Sequence, residues 1–185
     1  IMTLRKLGSP FEGHPNMKRL NTMEASTGSL GQGLSLGLGH ALACRLDGLD
    51  AHTYVMMGDG EMGEGQVWEA IAAAEKYKLG NLTAIVDQNG YQQTGATKDV
   101  LDLKPFGAKF EAFGWHTQVI EGNSMEAVVD ALAKARAITD RPTAIVSQTK
   151  KGFGILPVIE PTGDSNYHGK PLPKDLAEKA LALLN

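Results

Sequence analysis

Apolar and polar positions change period several times along the chain, and the changes mark alternating strands and helices. Residues 53–57 (TYVMM) form a short apolar stretch, β-branched in part, that stops at Gly58. This predicts a buried strand. A helical period follows from about Gly63 to Lys78, with Val67, Trp68, Ile71, Ala74 and Tyr77 on the apolar side and Gly80-Asn81 as its stop. Leu82–Val86, Trp115–Ile120 and Thr143–Ser147 read as three more strands. Ser124–Ile138 reads as a helix capped by Ser124, and Leu172–Leu184 as an amphipathic closing helix. Residues 28–46 predict a helix opened by Ser26 or Thr27. It carries five glycines, each costing about 1 kcal/mol against alanine in a helix interior, so something is expected to approach its backbone closely.

Residues 1–27 are irregular, 88–104 form a polar loop, and 150–173 form a long loop dense in Gly and Pro. A loop of that length in a compact domain is usually functional or disordered. Strands alternating with helices predict the α/β class: a parallel sheet with helices on both faces. Ligands of such sheets bind beyond the carboxyl ends of the strands, which directs attention to the residues just after Met57, Val86 and Ser147.

Composition narrows the picture. The chain has 185 residues, 42% of them hydrophobic. This suits one domain spanning 1–185, with upstream residues expected to be missing because the chain starts at Ile1. Lys and Arg number 18 against 21 acids, and no basic block marks a nucleic-acid or membrane footprint. One cysteine, Cys44, rules out an internal disulfide or a CxxC site and reads as a small buried hydrophobe. With no signal-peptide pattern and no long apolar run, the expected location is cytoplasmic.

Two predicted strands end in matched polar groups: Gly58-Asp59-Gly60 after the first, Asp87-Gln88-Asn89-Gly90 after the second. Asp59 and Asn89 are separated by one strand-helix-strand unit, so both side chains can reach the same end of the sheet. A carboxylate and an amide oxygen form a hard-oxygen set suited to Mg²⁺, which takes few protein ligands and fills its shell with phosphate oxygens. Gly58 and Gly60 would let backbone lie near a diphosphate. Each piece alone also reads as a helix-capping Asp or an Asn-Gly turn; the pairing at this spacing favours the metal.

GDGEMGEGQVWEA followed by NLTAIVDQNGYQ resembles the thiamine diphosphate motif, and in flavour it resembles transketolases, especially those split into two subunits. STGSLGQGLSLGLGHALA, the GHP at 13–15 and TKKGFG with a distant HG resemble further segments of that family, in the family's order. The resemblance implies the diphosphate-binding domain of the thiamine diphosphate fold. It implies Asp59, the Asn89 side chain and the Tyr91 carbonyl as ligands of Mg²⁺ (or Ca²⁺ or Mn²⁺). It puts Gly60 and the Glu61 backbone on the diphosphate, beside the Gly58 read there from the strand end, and Gly28, Ser29 and Leu30 near the thiazolium and aminopyrimidine. The family commonly has Pro where Ser29 stands.

His14, in the GHP, is expected by resemblance to hold donor-sugar hydroxyls. His168 matches a family His near the diphosphate and substrate, able to stabilise developing charge by donating a hydrogen bond. Glu64 and Glu69 are first-turn acids favoured by the helix dipole; by resemblance they meet a partner chain, with Glu64 the stronger catalytic candidate. His40, His52 and His116 lack such context, His40 reading as buried packing, and Tyr77 and Trp68 read as core. The resemblance implies a ketol transferase working on sugar phosphates in the pentose phosphate pathway. It is expected to work only with a partner chain carrying the pyrimidine-binding domain, as a two-fold heterotetramer. A deoxyxylulose-phosphate synthase, an oxo-acid decarboxylating component and a non-catalytic cofactor-holding module are the alternatives.

Overall fold

The computed structural model describes residues 2–162 and 167–184. Its elements in chain order are α1 (Gln32–Leu46), β1 (Thr53–Gly58), α2 (Gly65–Lys76), β2 (Leu82–Gln88), β3 (Tyr91–Gln92), β4 (Gly95–Ala96), α3 (Thr97–Val100), α4 (Phe106–Ala112), β5 (His116–Glu121), α5 (Met125–Ala137), β6 (Thr143–Gln148), α6 (Leu156–Ile159) and α7 (Lys174–Leu184). Four strands form an all-parallel sheet in the order β1-β2-β6-β5. The register places Gly58 beside Asp87 and Asp87 beside Ser147. The carboxyl ends of three strands thus meet where the sequence places its polar groups. No described helix is long and apolar enough to cross a membrane.

Side chains alternate across a strand, and the two faces are covered unequally. Ala84, Val86, Ala144 and Val146 face a core built with Leu34 and Ala41 of α1, Val67 and Ile71 of α2, and Phe110 of α4. Ile85 and Ile145 face the other way, onto Ala131 and Ala135 of α5. β1 is an edge strand beyond the reach of α5, so Tyr54 and Met56 are exposed and only Met57 is fully buried. The expectation of a buried first strand is corrected on this point: burial there is one-sided because the strand lies at the sheet edge.

Helix boundaries differ from the sequence expectation for local reasons. α1 begins at Gln32, with Gly31 as its N-cap at φ 82, so neither Ser26 nor Thr27 caps it. α2 ends at Lys76. Lys78 takes a left-handed φ of 50, Leu79 N–H donates to the Ala74 carbonyl, and Lys78 N–H donates to that of Glu75. This Schellman closure stops the helix before Gly80. Gly80 is required for another reason: a Cβ there would lie 2.1 Å from the Thr139 carbonyl oxygen. Ser124 does cap α5, its hydroxyl accepting from Ala127 N–H at 3.3 Å. The expected polar loop 88–104 holds the β3–β4 hairpin and α3, and the expected loop 150–173 holds α6. Residues 163–166 of that loop lie outside the described residues.

Three packing expectations are corrected. Tyr77 is 48% exposed, because it caps the end of α2 and is no longer on its buried stripe. His40 is exposed on the outer side of α1, and Cys44 is only half-buried. Trp68 is half-buried, packs against the core, and its indole N–H donates to the Met62 carbonyl at 2.9 Å.

Candidate functional site

Asp59 follows β1 directly and is 5% exposed. Its Oδ2 accepts from Gly90 N–H at 2.7 Å, just past the end of β2, and its own N–H donates to the Asp87 carbonyl at 3.1 Å. The two strand ends are therefore joined, as the spacing of Asp59 and Asn89 requires. The capping alternative for Asp59 is not realised: the short 3-10 turn Glu61–Gly63 after it has no side-chain cap bond. Asn89 Oδ1 accepts from Tyr91 N–H at 2.9 Å, and its Nδ2 donates to Asp87 Oδ2 at 2.7 Å. The Asn-Gly turn is present too, with Gly90 at φ 80, so turn and polar cluster are one piece of chain.

Burial drives the Asp59 carboxyl above its ordinary pKa. The N–H groups of Gly90 and Gly60 pull it back, the charge of Asp87 adds to the rise, and Lys151 opposes it. Lys151 belongs to the TKKGFG segment, although its own side chain was given no role there.

The cluster can be tested for fit to a cation by its unmet valences. Asp59 Oδ1 is buried and has no hydrogen-bond partner. Such an orphan costs about 1–3 kcal/mol. The amide oxygen of Asn89 uses one lone pair on Tyr91 and keeps a second. One carboxylate and one amide oxygen suit a hard divalent ion completed by phosphate oxygens. Among the described residues there is no group of three or more His, Cys, Asp or Glu that would hold a softer metal by itself. The residues present fit the group.

A second cluster gathers around the start of α1. Gly28 has φ 125, and a Cβ on it would lie 2.5 Å from His14 Cγ, so the His14 ring rests against this backbone. Gly28, Ser29 and Leu30 line an open groove of about 820 Å³ shared with Glu61, the exposed face of β1 and the outer side of α1. Glu61 joins the two clusters: its Oε1 accepts from Gly31 N–H at 2.8 Å and its Oε2 from Gly58 N–H at 3.3 Å. Gln66, not among the residues expected from sequence, holds the same segment by donating to the Leu30 carbonyl at 3.1 Å while accepting from Gln32 Nε2 at 2.9 Å. Its only signal was its place in the first turn of the helix after GDG.

The glycines divide by cause. Gly37 admits β1: a Cβ there would meet Val55 Cγ2 at 2.3 Å. The close approach expected for the glycine-rich helix is thus made at Gly37 by the chain's own strand. Gly60 has Gln92 Cβ at 2.5 Å from where its own Cβ would stand, while Gly58 faces open space. Glu64 is exposed at the N-cap of α2 and makes no cap bond; Glu69 is exposed on α2. His168 is exposed in a turn, and among the described residues no hydrogen bond, ion pair or ring contact ties it to either cluster.

Fold and site together define a parallel α/β domain whose polar cluster sits at the carboxyl edge of its sheet. The family described as transketolase, thiamine diphosphate binding domain, matches residues 1–182. The chain belongs to this family. It is 40% identical over 185 residues to transketolase-like protein 2 of Mus musculus, covering 100% of this chain and 29% of the relative. It is 40% identical over 153 residues to one subunit of the apulose-4-phosphate transketolase of Phocaeicola vulgatus, covering 83% of this chain and 54% of that relative. The structure of Campylobacter jejuni transketolase superposes with a TM-score of 0.83 at 29% identity, over 97% of this chain and 29% of that one. The chain therefore spans less than a third of the full-length transketolases it matches and about half of the Phocaeicola relative.

Proposed function

We propose that this chain is the diphosphate- and Mg²⁺-binding part of a split transketolase-type enzyme, moving a two-carbon ketol unit between sugar phosphates once a second chain completes the site. The observation that carries this is the orphaned Oδ1 of buried Asp59, whose other oxygen is bonded to the N–H of Gly90, the residue after Asn89, where two adjacent parallel strands end. Similarity to a relative named as one subunit of a transketolase supports the split form.

Bound thiamine diphosphate supplies the carbon nucleophile and the electron sink for C–C cleavage. The residues of this chain hold and orient. Asp59, the Asn89 side chain and the Tyr91 carbonyl take the cation, and the backbone of Gly58, Gly60 and Glu61 takes the diphosphate. The Gly28–Leu30 segment, braced by Glu61 and Gln66, lies along the ring end. His14, seated on Gly28, orients the hydroxyls of the donor sugar. His168 donates to charge developing on the substrate. The partner is a chain with a pyrimidine-binding domain, which supplies the carboxylate that activates the aminopyrimidine, and Glu64 and Glu69 face it. The assembly has two-fold symmetry, and its location is the cytoplasm.

The test is Asp59→Ala in the assembled complex. Mg²⁺-dependent binding of thiamine diphosphate should be lost while the circular dichroism of the domain is retained. Activity surviving at low Mg²⁺ would end this reading.

A further inference from the structure

Resting on that reading of the cation site, we propose that Asp87 and Thr149 are positioning residues that decide which end of the Asn89 amide meets the ion. An amide presents an acceptor at one end and two donors at the other, and a half-turn exchanges them. Only the oxygen end can ligate a cation, and a half-turned Asn89 would present N–H groups to it.

The structure removes that freedom. Asp87 ends β2 in register with Gly58 and Ser147. Its Oδ2 accepts from Asn89 Nδ2 at 2.7 Å. An ionised carboxylate can only accept, so the NH₂ end of Asn89 is the end it holds. Asn89 Oδ1 is turned away and accepts from Tyr91 N–H at 2.9 Å, which a nitrogen donor could not do. The two contacts require the same orientation.

Asp87 is held in turn. Its Oδ1 accepts from the Thr149 hydroxyl, which arrives from the residue after β6, and Thr149 N–H donates to the Gln88 carbonyl at 3.3 Å. The Asp87 carboxylate therefore has one oxygen on the amide and the other on the segment that leads to Lys151. Neither Asp87 nor Thr149 is among the three proposed ligands. Outer partners of this kind orient metal ligands, and their loss costs about 10–100-fold in metal affinity.

The experiment titrates the 185-residue chain with Mn²⁺ alone and reads free Mn²⁺ by electron paramagnetic resonance. The side-chain NH₂ signals of Asn89 are followed by NMR in the metal-free chain and its variants. Asp87→Ala should weaken Mn²⁺ about 10–100-fold and move the Asn89 NH₂ signals towards those of an unbonded amide. Asp87→Asn keeps an oxygen for that NH₂ and should retain most of the affinity. Thr149→Val should weaken Mn²⁺ measurably, and Thr149→Ser should match the native chain; this pair decides the matter if Asp87→Ala does not fold. Native Mn²⁺ affinity in Asp87→Ala or Thr149→Val, with binding lost in Asn89→Ala, overturns the positioning role and leaves the site reading intact. So does Asp87→Asn falling as far as Asp87→Ala, since charge and not orientation would then be the cause. A native chain that binds no Mn²⁺ at millimolar concentration overturns both.

Discussion

Asp59 accepts a 2.7 Å hydrogen bond from the backbone N–H of Gly90, and this bond ties the loop after β1 to the loop after β2. It occupies only one carboxylate oxygen. The other is buried without a partner, so the domain on its own carries an unmet charge at its sheet edge.

That charge has a pH signature. The folded pKa of Asp59 is raised, mainly by burial. Metal-free stability from this group should be greatest below the ordinary carboxylate pKa of 3.8 and fall as pH rises through the raised value. Thermal unfolding of the native chain and of Asp59→Asn against pH should show this slope in the native chain and not in the variant. Millimolar Mg²⁺ at neutral pH should raise the native Tm and leave that of Asp59→Asn unchanged.

His52 provides an opposite dependence. Its pKa is lowered, first by burial and then by Arg136, while its ring bonds Thr83 Oγ1 at 2.8 Å and packs on Tyr54. A depressed histidine stabilises the fold above its unfolded pKa of about 6.5, and that contribution is lost as pH falls towards the folded value. Urea midpoints at pH 8 and pH 5.5 should differ less in His52→Gln than in the native chain. Equal differences would remove His52 as the source.

Two glycines on one helix should respond with opposite sign. Gly37→Ala gains about 1 kcal/mol of helix propensity. It also forces a Cβ to 2.3 Å from Val55 Cγ2, an overpacking that costs about 1–3 kcal/mol, so the net effect should be a loss. Gly39 has nothing within 4 Å of that position, and Gly39→Ala should stabilise by about 0.5–1 kcal/mol. Chemical denaturation of both variants decides it.

Glu61 should matter beyond its own turn. Its carboxylate accepts from Gly31 N–H and Gly58 N–H. Charge-assisted bonds of this type contribute about 1.5–3 kcal/mol. Glu61→Ala should lower stability by that order and loosen the Gly28–Leu30 segment, read as faster amide exchange from Gly28 to Gln32. Unchanged exchange there would show that Gln66 alone holds the segment.

The strand-helix rhythm, the Ser124 cap and the meeting of the Asp59 and Asn89 loops were legible along the chain. Each depends on residues close in sequence, or on one unit of known geometry. Lys78 closing α2 was not legible, because a left-handed Lys is a tertiary choice, hidden behind the ordinary stop signal of Gly80. Nor were Gln66 and Thr149: their value lies in the Leu30 carbonyl and the Asp87 carboxylate, which only folding brings within reach.

The sequence by itself determined the class of fold, the family, and the two strand ends that carry the polar cluster. Hydrophobic period and short motifs are local properties that survive without a third dimension. Tertiary structure alone decided that β1 is an edge with one bare face, that Gly37 makes room for Val55 while Gly60 makes room for Gln92, and that one oxygen of Asp59 is left unpartnered. Burial and hydrogen-bond satisfaction depend on what arrives from distant parts of the chain, and no spacing along a strand records that.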